Sequence, residues 1–140
     1  MFTPNIQPFD TADVSGNIIL LYCPANSNRV EITTPAYWTA NVLDCEPFWQ
    51  LWVPYPESSP PTHWSPIPEL PTADDPKGWN TGDNIPKDGT TLIVHKIASG
   101  RTTVATIIEE LSDAQWITMD GEDIPDPENY MWITVPQLKP

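Results

Sequence analysis

With 140 residues, 19 acidic against six basic side chains and a formal charge of −13 at pH 7, the chain is one ordinary domain or two very small ones, and approach to nucleic acid is opposed by phosphate repulsion. The hydrophobic fraction of 39% supports a core, and no apolar run approaches the ~20 residues of a membrane-spanning helix. Eighteen prolines argue against a helical protein, because proline breaks helix interiors and is confined in sheets to edges and ends.

The opening residues, Met1 to Asp10, show neither the basic stretch nor the apolar stretch of a signal peptide, so no export is expected. Asp10 to Gly16 is rich in turn formers. Asn17 to Tyr22 is a continuous apolar run suited to a strand buried on both faces. A loop over Pro24 to Asn28 leads to a returning strand, Arg29 to Thr34, which Pro35 should end. Ala36 to Leu43 could continue it after a bulge. Phe48 to Val53 is apolar on both alternating faces and is expected to be sandwiched. Cys23 falls on a predicted strand and Cys45 in a turn; without export, reduced thiols are expected.

Pro54 to Pro76 is crowded with proline and reads as an irregular or polyproline-type connector, with Trp64 packed on the sheet. The longest proline-free stretch, Lys87 to Ile124, follows it. The turn Ile85-Pro86-Lys87-Asp88-Gly89 leads into it. Two β-branched runs, Thr90 to Ile97 and Arg101 to Ile108, are joined by Ala98-Ser99-Gly100, the pattern of a β-hairpin. A short helix near Ile107 to Asp113 is an alternative opposed by β-branching. Trp116 to Met119 and Trp132 to Val135 complete the predicted strands.

The second half repeats the order of the first. Gly16 and Gly89 are 73 residues apart, Trp49 and Trp116 are 67 apart, and Trp64 and Trp132 are 68 apart. Near-constant offsets mark an internal duplication. The expected fold is mainly β: two tandem small antiparallel β-meander repeats of about three strands each, with proline-rich connecting loops. The expected organisation is a first repeat at 1–71, a linker at 72–78 and a second repeat at 79–140.

These motifs carry a resemblance. Pro86, Asp88, Gly89, Leu92, Ile93 and Val94, together with the closing His63-Trp64-Ser65-Pro66-Ile67-Pro68, resemble a small uncharacterised domain family of tailed phages and prophages. Its pattern is W…P-x-D-G-x-x-(ILV)-(ILV) closing on W-x-x-(IL)-P. The first copy lacks the Pro-x-Asp of this pattern. The resemblance implies phage origin and a small β fold, with no activity, cofactor or catalytic residue attached.

Three groups of residues invite a function. Glu109, Glu110, Asp113, Asp120, Glu122, Asp123, Asp126 and Glu128 form an acidic stretch that reads either as a solvated surface or as a docking face for a basic protein partner. Within it, Asp120 to Asp123 lacks the ligand spacing of a calcium loop, so no metal is expected. Tyr37, Trp38, Trp52 and Tyr55 could form an exposed aromatic platform, although a small β protein also needs such residues in its core. His63 and His95 have no nucleophile nearby in the sequence. Cofactors, metals and catalysis are therefore not expected.

The expected role is a non-enzymatic protein-binding module, located in a virion or the host cytoplasm: a decoration or tail-associated protein that contacts virion neighbours or further copies of itself. The alternatives are an acidic inhibitor of a host nucleic-acid-handling or defence enzyme, and a carbohydrate-binding module.

Overall fold

The computed structural model describes residues 5–25, 30–39, 47–52, 60–110, 113–119, 124, 127–138 and 140. Five strands come from the first half: β1 (Gln7–Pro8), β2 (Ile19–Cys23), β3 (Ile32–Thr39), β4 (Phe48–Leu51) and β5 (His63–Pro66). Five come from the second: β6 (Asn80–Thr81), β7 (Asp88–Lys96), β8 (Arg101–Glu110), β9 (Asp113–Thr118) and β10 (Met131–Thr134). Short 3₁₀ turns follow β1 (η1, Phe9–Thr11) and β6 (η2, Gly82–Asn84), and a third precedes β10 (η3, Pro127–Asn129).

The protein is mainly β, as the proline distribution predicts. The strands form two antiparallel sheets, ordered β1-β5-β2-β3-β4 and β6-β10-β7-β8-β9. In each, three consecutive strands make a meander, and the fifth returns along the free side of the first meander strand. The chain divides into two compact units, one of Phe2–Pro68 with Pro136–Pro140 and the other of Glu69–Val135.

The register of the two sheets is the same. One row of the first sheet reads Gln7–Trp64–Leu21–Thr34 across β1, β5, β2 and β3. The matching row of the second reads Asn80–Trp132–Val94–Thr103 across β6, β10, β7 and β8. Further out, Trp38 pairs with Trp49 where Ile107 pairs with Trp116.

Several expectations need correction. Each sheet has five strands rather than about three. The extra ones are two-residue edge strands and the returning strands, and β5 lies inside what reads as an irregular connector. Its prolines sit where they cost little, with Pro66 closing the strand. β3 runs through Pro35 to Thr39 rather than stopping before it. The Pro35 carbonyl accepts the Trp52 N–H at 3.0 Å. In an antiparallel strand the N–H and C=O of a residue point the same way, so the donor that proline lacks would face the frayed end of β4. No bond to β2 is lost. β4 is a half-buried edge strand, not a sandwiched one. Among the described residues of Ile107 to Asp113 no helix forms, because β8 continues to Glu110 and β9 begins at Asp113.

The core of the first sheet is Ile19, Leu21, Ala36 and Trp64, with Phe9, Ala12, Trp49 and Leu51 packed against it. That of the second is Ile85, Leu92, Val94, Ala105, Ile107, Ile124 and Tyr130, with Trp132 against it. Alternation places Leu20 and Ser65 on the opposite face of the first sheet and Ile93 and Val104 on that of the second, yet all four are fully buried. The central strands are thus dry on both sides, which is why β2 and β7 read as unbroken apolar runs.

The turn motif before β7 has a physical basis. Gly89 adopts φ +89°, where an L side chain is strained, and the β7–β8 register shifts between Asp88 and Thr91. The Asp88 carboxylate accepts bonds from the Thr90 hydroxyl at 2.6 Å and the Thr90 N–H at 3.1 Å. Gly16, the matching glycine of the first half, has φ +100°.

Candidate functional site

The acidic stretch resolves into one gathering and several residues elsewhere. Glu110 pairs in register with Asp113, and Glu109 with Ala114, at the end of the β8–β9 hairpin. Both pairs lie beyond Ile108, which is itself paired with Asp88 on β7. Asp88, Glu109, Glu110 and Asp113 are therefore collected at one end of the second sheet. Like charges directly opposite each other across strands oppose pairing by roughly 0.2–1 kcal/mol. Glu128 lies on η3 and is exposed. Asp120, Glu122, Asp123 and Asp126 fall outside the described residues.

Asp88 is the member that the sequence does not associate with this group. Its place depends on the β7–β8 register, which a bulge shifts. The Thr90 hydroxyl, and then the Thr90 N–H, hold its carboxyl below the usual carboxylate range.

Three basic side chains of the second unit, Lys77, Lys96 and Arg101, have partners within it. Arg101 Nη1 donates to the Tyr130 hydroxyl at 2.9 Å, and Lys96 Nζ and the Arg101 guanidinium each lie 5.8 Å from the Tyr130 ring centroid. Lys77 reaches Asp75 at 3.2 Å and Glu69 at 3.4 Å.

The proposed aromatic platform is not one surface. Tyr37 and Trp38 are successive residues of β3 and project to opposite faces, both half-buried. Trp38 packs edge-on against Trp49 with ring centroids 5.1 Å apart, and Phe9 meets Trp49 at 5.9 Å. Trp52 is half-buried in the bend after β4, and Tyr55 lies outside the described residues. The aromatic group the fold assembles is Phe9, Trp38 and Trp49. The sequence misses it because it is created by cross-strand register.

The histidines belong to different sheets. In the first, His63 Nδ1 is 2.9 Å from the Thr62 hydroxyl, and its ring meets Tyr22 edge-on at 6.2 Å. The Tyr22 hydroxyl donates to Glu31 at 2.5 Å, which raises its pKa. In the second, His95 is buried, with Nδ1 2.7 Å from the Thr102 hydroxyl and its ring edge-on to Trp79 at 6.3 Å. Burial lowers the His95 pKa.

No family model matches the chain, and neither does any curated protein or solved structure.

Cys23 is buried on β2, and Cys45 lies outside the described residues. Among the described residues, no group of three His, Cys, Asp or Glu side chains is placed to hold a metal ion. No helix among them is long and apolar enough to cross a membrane. What this arrangement offers chemically is a concentrated negative charge at the end of a sheet, suited to attracting cationic surfaces.

Proposed function

We propose that this chain is a non-enzymatic protein-binding module of a tailed phage, a virion accessory component of the decoration or tail-associated kind. The gathering of Asp88, Glu109, Glu110 and Asp113 at one end of the second sheet carries the reading. Like charges held in register weaken their own hairpin, and a cationic partner relieves that repulsion. The phage-like Pro86-x-Asp88-Gly89 motif, whose Asp88 belongs to this gathering, supports the origin. We also read the two sheets as descendants of one duplicated unit, on the strength of their common strand order and register.

A second reading rests on the same acids: an inhibitor that presents carboxylates to the nucleic-acid channel of a host enzyme. Quantitative mass spectrometry of purified phage particles separates the two. The virion reading expects this chain in many copies per particle. Its absence from particles, with salt-sensitive binding to a basic host protein, overturns that reading in favour of the inhibitor.

A further inference from the structure

We propose that residues 136–138 form a strap that closes one face of the first sheet, held by Leu138 and Thr33. β10 ends at Thr134 in the second sheet, yet Pro136–Pro140 belong to the compact unit built from Phe2–Pro68. Leu138 is only 1% exposed, and its backbone N–H donates to the Thr33 hydroxyl at 2.9 Å, a contact spanning 105 residues of chain.

Thr33 pairs with Tyr22 in the β2–β3 ladder. Alternation puts it on the face of β3 that carries Pro35, away from Thr34 and Ala36. Leu20 and Ser65, paired with each other across β2 and β5, share that face, and both are fully buried, as is Pro35. An antiparallel sheet commonly leaves one face wet. Here the face turned away from Ile19, Leu21 and Trp64 is dry at its centre, and Leu138, from outside the sheet, buries its side chain and bonds to that face through its backbone N–H.

The matching leucine of the first half shows that this burial is specific. Leu70 follows Trp64 by the same interval as Leu138 follows Trp132, but Leu70 is 37% exposed. Among the described residues the strap is held by the Leu138–Thr33 hydrogen bond and the burial of Leu138, neither of which belongs to a sheet ladder. Opening uncovers the Leu20–Pro35–Ser65 face without unfolding the chain, a local event of the kind that amide exchange detects.

The test is residue-resolved hydrogen exchange on the full chain carrying Leu138→Ala. Withdrawal of a buried leucine should speed exchange of the β2 and β3 amides by about tenfold to a hundredfold. The β7 and β8 amides should be unchanged, and Leu70→Ala should leave β2 and β3 as they are. Thr33→Val, which keeps the shape and removes the acceptor, should give a several-fold effect confined to the first sheet and residues 136–138. Exchange unchanged in β2 and β3 for both variants, or accelerated equally in both sheets, overturns the proposal.

Discussion

The indole N–H of Trp132 donates to the Asn84 side-chain oxygen at 3.2 Å and to the Thr81 carbonyl at 2.8 Å. In the first sheet the indole N–H of Trp64 donates to the Thr11 hydroxyl at 3.0 Å. Asn84 and Thr11 are each the last residue of the 3₁₀ turn that follows the edge strand. Each returning strand thus carries a tryptophan that fills the core and ties down the same turn. Trp64→Phe keeps most of the apolar area and loses the bond, so a stability loss of about 0.5–1.5 kcal/mol is expected. Trp64→Ala should cost about 3–5 kcal/mol, because it also leaves a cavity under Ile19 and Leu21. Urea denaturation of both variants checks the ordering.

Gly89 isolates a backbone effect. A Cβ built there meets nothing within 4 Å, so Gly89→Ala adds no clash and only the strain of φ +89°. A loss of about 1–2 kcal/mol is expected, and a Gly89→Asn variant should recover part of it, since Asn tolerates positive φ better. Thermal unfolding of the pair measures the difference.

His95 predicts a pH dependence with a definite sign. Burial lowers its folded-state pKa below the ordinary 6.5, while the unfolded chain takes up a proton near that value. The unfolded state therefore binds more protons as acidity rises, and stability falls as the pH drops from about 6.5 towards the folded-state pKa. Titration of the surplus carboxylates acts on the same curve, so the comparison is with His95→Gln. The wild-type minus variant stability should decline between pH 7 and pH 5 and be flat above pH 7.5.

The acidic end of the second sheet predicts opposite effects on stability and binding. Glu110→Gln with Asp113→Asn removes a like-charged cross-strand pair, and should stabilise the chain by roughly 0.2–1 kcal/mol at low salt, fading at high salt. The same substitutions should weaken capture of a cationic partner. Unfolding midpoints at two ionic strengths, measured beside partner affinity, check both halves.

The parts of this fold that the sequence reveals are those governed by local pattern. The β-branched runs flanking Ala98-Ser99-Gly100 become β7 and β8 to within two residues at each end, and the apolar run at Asn17 to Tyr22 becomes β2. Features decided by a neighbour are hidden. Pro35 looks like a strand terminator, and is not, because its missing donor faces the end of β4. β5 is concealed by the prolines that bracket it, although the interval between Trp64 and Trp132 marks its position. The meeting of Asp88 with the hairpin acids, and of Trp38 with Trp49, depends on register across loops whose geometry no periodicity encodes. Leu138 is the extreme case, its backbone N–H finding the side-chain hydroxyl of Thr33, 105 residues earlier in the chain.

The two sheets share one frame, each pinned by the tryptophan of its returning strand. Nuclear Overhauser contacts from the Trp64 and Trp132 indole protons test this most directly. The expected result is contact from Trp64 to Thr11 and Leu21 and from Trp132 to Asn84 and Val94, with both N–H protons slow to exchange. Fast-exchanging indoles without these contacts, or a Trp132 found beside residues other than the η2 turn and β7, would contradict it.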